Sequence, residues 1–133
     1  MSDTQDNPES LLAAIDLGSN SFHLIIAKSD FGELRPFQAL AEKVQLGETS
    51  SAAMLTPGAI ERGLACLQRF KQLIDSTAPA KLRIVGTNAL RRAKNRQDFI
   101  EPAEQILDAP IDVIYGREEA RLIYLGVAHT LSD

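Results

Sequence analysis

Over the first third of the chain, apolar residues come in short runs broken by polar ones; later they recur with a helical period. Residues 11–17 (LLAAIDL) and 22–28 (FHLIIAK) are apolar runs on either side of a turn-prone segment and predict two strands. The segment Asp30-Phe31-Gly32 predicts a second hairpin turn, leading into a third strand between Leu34 and Leu46. Thr56 and Pro57 then mark a helix start, with Thr as N-cap and Pro at the first helical position. Ile60, Leu64, Leu67, Phe70 and Ile74 carry that helix on a 3.6 period. KLRIVG, 81–86, predicts another strand, followed by a short helix at about 88–94.

Asp98 and Glu101 have capping-box spacing, and Phe99, Ile100, Ala103, Ile106 and Leu107 predict a helix whose first turn Pro102 disturbs. IDVIY, 111–115, predicts a strand, and a helix is expected from Gly116 onward with Ala120, Ile123, Tyr124 and Val127 on one face. The order βββ-α-β-(α)α-β-α predicts an α/β fold, a mixed five-stranded sheet covered by helices.

At 133 residues the chain has the length of about one domain, and its 44% hydrophobic and 24% charged content is that of a globular protein. The polar, acidic start MSDTQDNPES has neither a basic n-region nor an apolar h-region, so residues 1–10 read as a disordered leader ahead of a domain over 11–133. No apolar run reaches the ~20 residues of a membrane span, and a cytoplasmic location is expected. The single cysteine, Cys66, lies in an apolar helical pattern and reads as a small buried hydrophobe; disulfide and CxxC zinc readings both fail. A net charge of −4 argues against DNA as a partner, so binding of a polyanion must come from local arrangement.

Three segments qualify for such an arrangement. The first is the loop after the opening strand, where Asp16, Gly18, Ser19, Asn20 and Ser21 follow one another. Gly18 permits a tight turn, the N–H groups of small residues can form an anion-binding nest, and Asp16 could face a metal ion that bridges to a bound phosphate. A hairpin with an Asx-type turn explains the same residues. Neither GxxxxGK[ST] nor GxGxxG occurs.

The second is GTNALRRAKNR, 86–96, in which Arg91, Arg92, Lys94 and Arg96 arrive together after a strand. They can clamp phosphate oxygens, Arg91 being nearest the strand end, or form a solvated basic helix face. The third is GREEARL, 116–122, with Glu118 and Glu119 in the first turn of a helix. Acids there suit the helix dipole; one of them could instead orient or deprotonate a water. His23 and His129 show no metal-ligand spacing.

Together the motifs IDLGSNSFHLIIA, EKVQLG, VGTNALRRAKN and GREEARLIYLGVAHT resemble the exopolyphosphatase / guanosine pentaphosphate phosphohydrolase family, a branch of the actin-like ATPase superfamily. The resemblance implies an actin-like (ribonuclease H-like) half-domain. It further implies that Gly18, Ser19, Asn20 and Ser21 form a phosphate-binding loop and that Asp16 lies near a Mg2+ ion. In the same way Arg91 is expected to contact phosphate, and Glu119 to serve as general base for the attacking water. Glu118 is left to capping. Tyr115 departs from the family pattern, which commonly has serine there.

Family members continue into a second half that carries a facing phosphate loop, so this chain is expected to be an N-terminal half with little activity alone. The implied substrate is inorganic polyphosphate or, alternatively, guanosine pentaphosphate, with a homodimer expected at full length. VGTNALR and EEARLIYLGV tilt toward the polyphosphatase branch. A non-hydrolytic polyphosphate- or alarmone-binding module and an ATP-using enzyme of the same superfamily stay open as alternatives.

Overall fold

The computed structural model describes residues 9–30, 33–47 and 53–114. Three strands come first: β1 (Glu9–Leu17), β2 (Ser21–Asp30) and β3 (Glu33–Lys43). Helix α1 (Pro57–Thr77), strand β4 (Lys81–Gly86), helices α2 (Asn88–Arg92) and α3 (Gln97–Leu107) and strand β5 (Asp112–Val113) follow. The helix expected from residue 116, with Glu118, Glu119, His129 and Tyr115 ahead of it, lies outside the described residues, as do residues 1–8. β1 begins at Glu9, so two residues assigned to the leader belong to the sheet.

The sheet order is β3-β2-β1-β4-β5. β1/β2 and β2/β3 are antiparallel hairpins, whereas β1/β4 and β4/β5 are parallel. The meander therefore forms one half of the sheet and the helical crossovers supply the other. This is the mixed α/β sheet that the alternation of periods predicts. The β2/β3 register shifts between Ile26 and Ala27, where Ile26 faces Gln38 and Ala27 faces Pro36. A proline lacks an N–H to give a ladder, and this one stands at a bulge on the outermost strand.

Alternation along β1 sends Ala13, Ile15 and Leu17 to one face, where they join Phe22, Leu24 and Ile26 of β2 in a single core. Helices α1 and α3 cover that face. α1 begins as expected, with Thr56 Oγ1 accepting from the Ala59 amide at 3.1 Å. Its buried stripe is Ala59, Gly63, Cys66, Leu67, Phe70 and Ile74, while Ile60 and Leu64, expected inside, are half-buried. Gly63 marks the closest approach: a Cβ there would stand 2.7 Å from Phe99 Cε1 and 3.4 Å from the Phe22 ring. Phe22 and Phe99 pack with ring centroids 5.9 Å apart. The opposite face also holds buried residues: Leu12 and Ala14 of β1 and Val85 of β4.

α3 corrects one expectation. Asp98 is not its cap: the helix starts at Gln97 after Arg96, which has helical φ and ψ and makes no side-chain capping bond. Pro102 sits inside the helix, where the N–H it lacks would have been aimed at the Asp98 carbonyl. β5 is shorter than the expected 111–115, with two paired residues, and the Ile111 amide donates to Glu104 Oε2 at 2.8 Å.

Candidate functional site

Three parallel strands finish side by side. Leu17 at the end of β1 pairs with Gly86 at the end of β4, and Gly86 pairs with Val113 at the end of β5. The Ile114 amide donates to the Gly86 carbonyl at 2.8 Å, extending the alignment one residue further. Each strand releases one of the three segments singled out from the sequence: the 18–21 loop, the Thr87–Arg91 turn, and the chain leading toward Glu119. Adjacent strands lie about 4.8 Å apart, so the three exits fall within about 10 Å along one edge of the sheet. In open α/β sheets ligands collect at this carboxyl edge.

The 18–21 loop is both a hairpin end and a clamped structure. Leu17 pairs with Phe22, and the Gly18 amide donates to the Ser21 carbonyl at 3.1 Å. A Cβ on Gly18 would stand 2.9 Å from that carbonyl oxygen, so the close approach requires glycine. The segment after β3 then holds the tip. The Asn20 carbonyl accepts from Val44 N at 3.0 Å and Gln45 N at 2.9 Å, and the Ser19 carbonyl accepts from Gly47 N at 2.8 Å. Val44 and Leu46 are buried in the core, so the segment is anchored. The bonds fixing the loop use its carbonyls and the Gly18 amide; the amides of Ser19 and Asn20 are outside that set.

Asp16 is half-buried in β1, opposite His23 of β2 and Val85 of β4, on the face away from the α1–α3 core. Its Oδ1 is enclosed and receives no hydrogen bond, although the residue has other interactions. His23 is exposed.

The basic run separates into one half-buried side chain and three exposed ones. Arg91 is half-buried on α2, with Nη2 donating to Asn88 Oδ1 at 3.0 Å. Arg92, Lys94 and Arg96 are exposed, and Arg96 Nη1 donates to the Arg91 carbonyl at 2.9 Å. Of the four, Arg91 is the one set into the strand-end turn. Thr87, the buried polar residue of that turn, gives its carbonyl to the Arg91 amide at 2.9 Å.

Sequence reading missed the supports. Asn95, inside the basic run, clasps Leu55 from both sides: Leu55 N donates to its Oδ1 at 2.8 Å and its Nδ2 donates to the Leu55 carbonyl at 3.1 Å. Gln45 takes φ 55°, the left-handed region. Arg62 on α1 donates from Nε to the Val44 carbonyl at 2.8 Å and from Nη2 to the Gln45 carbonyl at 3.3 Å. EKVQLG was the available signal, but nothing in it shows that its backbone bonds the first loop.

Elsewhere, Arg69 grips Glu42 with a two-point pair at 2.8 and 2.6 Å and holds its carboxyl below the usual carboxylate range. Burial, with Glu42 close by, pushes the Cys66 thiol up to about 12, which leaves it inert, as its helical setting predicts. Among the described residues no cluster of His, Cys, Asp or Glu could hold a metal by itself, and no helix is long and apolar enough to cross a membrane.

Known structures share this architecture. At the level of fold alone, the ethanolamine utilization protein EutJ from Carboxydothermus hydrogenoformans aligns with TM-score 0.50 at 9% identity, over 87% of this chain and 40% of that one. The sheet and helices are thus those of an actin-like half-domain. Much stronger is the likeness to the Aquifex aeolicus member of the Ppx/GppA protein family: TM-score 0.81, 32% identity, 95% of this chain and 42% of that one. An exopolyphosphatase from Cytophaga hutchinsonii aligns with TM-score 0.78 at 30% identity, over 88% of this chain and 38% of that one. The profile of the Ppx/GppA phosphatase family matches residues 25–133, and the chain belongs to that family. It spans about 42% of the length of the Aquifex relative.

Proposed function

We propose that this chain forms one wall of a phosphohydrolase site that removes the terminal phosphate of inorganic polyphosphate. The observation that carries the reading is the convergence of β1, β4 and β5 at one sheet edge, which brings the 18–21 loop and Arg91 together where β5 ends, a few residues before Glu119 in sequence. In this reading the loop and Arg91 hold the phosphoryl oxygens, a forked guanidinium suiting two of them. Glu119 accepts a proton from a water whose oxygen attacks the terminal phosphorus in line, and the bond to the bridging oxygen breaks.

The residues at the edge suit Mg2+. Its preferred donors are oxygens, and it is held through one or two carboxylates together with substrate phosphates rather than by a protein cage. Asp16, half-buried at the strand end, offers such a carboxylate. When bound, the ion would offset charge on the phosphoryl oxygens.

The relatives are more than twice this length, so the facing wall is proposed to come from a second half like theirs. The test is a substrate panel of polyphosphate, guanosine pentaphosphate and ATP, with Mg2+ and with chelator, on the 133-residue chain and on the chain extended to its relatives' length. Phosphate release from polyphosphate by the extended protein, lost with chelator and in Glu119→Gln, is expected. No release from any of the three would overturn the reading; preference for guanosine pentaphosphate would reassign the substrate.

A further inference from the structure

We propose that Arg62 is a positioning residue for the 18–21 loop, acting through Val44–Gly47; the functional weight of this rests on that loop's being the phosphate site proposed above. Successive peptide groups normally point in alternating directions. Here the amides of Val44 and Gln45 both converge on the Asn20 carbonyl, and Gln45 itself turns into the left-handed region. Two consecutive N–H groups converging in this way make a nest, and here its occupant is a carbonyl of the loop.

The same turn sends the carbonyls of Val44 and Gln45 to the other side, where the Arg62 guanidinium takes one with Nε and the other with Nη2. A fork spans two neighbouring carbonyls; a lysine ammonium, one point charge, does not match that geometry. The Arg62 side chain runs back toward the start of α1, and a Cβ on Gly58 would stand 3.3 Å from its Nη1. The connection is continuous: α1 holds Arg62, Arg62 holds two carbonyls, and their amides, with that of Gly47, hold Asn20 and Ser19.

Without Arg62, the left-handed turn at Gln45, a conformation that costs a non-glycine residue energy, is left to the amide bonds to Asn20 and Ser19 alone. The nest relaxes and the loop tip loses its seat. Arg62 is exposed and outside the core, so its removal leaves the fold in place.

Amide hydrogen exchange of the 133-residue chain, read residue by residue, tests this together with binding of inorganic tripolyphosphate. In Arg62→Ala the amides of Val44, Gln45 and Gly47 should exchange about tenfold faster or more, the scale of one lost charge-assisted hydrogen bond. The amides of Ile15 and Ile84 should keep their protection. Arg62→Lys should fall between, and adding Gln45→Gly to Arg62→Ala should restore protection in part, because glycine takes a positive φ without strain. Tripolyphosphate binding should weaken about tenfold in parallel. Unchanged exchange at the three amides, or an equal rise at all amides, would overturn the proposal. If wild-type chain and variants alike, also when extended to the relatives' length, fail to bind tripolyphosphate while the three amides respond, the phosphate reading fails and the Arg62 coupling stands.

Discussion

Gly47 donates its amide to the Ser19 carbonyl at 2.8 Å, and a Cβ on Gly47 would stand 3.2 Å from the Ser19 Cβ. The segment after β3 and the candidate phosphate loop are thus packed against each other at a glycine. Gly47→Val should press the two apart. Gly47 is exposed, so unfolding free energy should change by less than about 1 kcal/mol. Phosphate release by the extended protein should fall about tenfold in kcat/KM, because misplaced binding groups weaken positioning. Steady-state kinetics beside urea denaturation separate the two effects.

Gly63 inverts the ordinary rule for helices. On propensity alone, Gly→Ala in a helix interior stabilises by about 1 kcal/mol. At this position the new methyl would meet Phe99 Cε1 at 2.7 Å, inside the fully buried Phe22–Phe99 pair. Gly63→Ala should therefore destabilise the protein by about 1–3 kcal/mol, the usual result of overpacking. Thermal and urea denaturation measure it, and a stabilised variant would show that the two rings have room to move.

Local signals carried much of this fold. Thr56-Pro57 starts α1 as its chemistry dictates, and the change from runs of apolar residues to a 3.6 period separates the meander from the crossovers. Asp98 misled because three-residue capping spacing recurs by chance, whereas α3 begins one residue before it. Ile60 and Leu64 are half-buried because the stripe of α1 that meets the core runs through Ala59, Gly63, Cys66, Leu67, Phe70 and Ile74. At the site, the candidate segments were legible as motifs, but their gathering at one edge depends on β1–β4 pairing across some seventy positions of sequence. The Arg62 fork and the Asn95 clasp bond to main-chain groups, which carry no residue identity, so no motif announces them.

Asn95 fills both hydrogen-bonding groups of Leu55 and joins the approach to α1 to the approach to α3. Asn95→Ala would leave a buried residue's amide and carbonyl unsatisfied. With each bond contributing about 0.5–1.5 kcal/mol, the loss should be about 1–3 kcal/mol. Asn95→Asp should recover the bond from the Leu55 amide and not the one to its carbonyl, giving an intermediate value by chemical denaturation.

The thiol of Cys66 should not react with a thiol reagent at pH 8 until the protein is unfolded. Its folded value of about 12 lies above the ~8.5 of an unfolded cysteine. The folded state thus holds the proton more tightly. Stability from this group is fully present below about pH 8.5 and declines by up to about 1.4 kcal/mol per pH unit as pH rises toward 12. Glu42 works in the other direction: its lowered value makes a contribution present above the unfolded carboxyl range and lost as pH falls through the folded one. That contribution is small because the Arg69 pair is exposed. Cysteine labelling rates and denaturation curves across the alkaline range check the first effect, and Cys66→Ala should flatten the alkaline decline.

The parallel seam between β1 and β4 also sets an order of events in folding. β1, β2 and β3 are joined by short hairpins and can pair as soon as they exist, while Leu17 meets Gly86 only after the whole of α1 has been made. Pairings distant in sequence close late, because their loop entropy must be met first. Until that moment the 18–21 loop is the tip of a free meander whose inner strand offers an open edge to any passing strand. The step that assembles the candidate site is therefore the same step that closes the open edge of β1, leaving β3 and β5 as the edges of the finished sheet. Variants that slow β4 docking should lose soluble yield before they lose a single contact at the site.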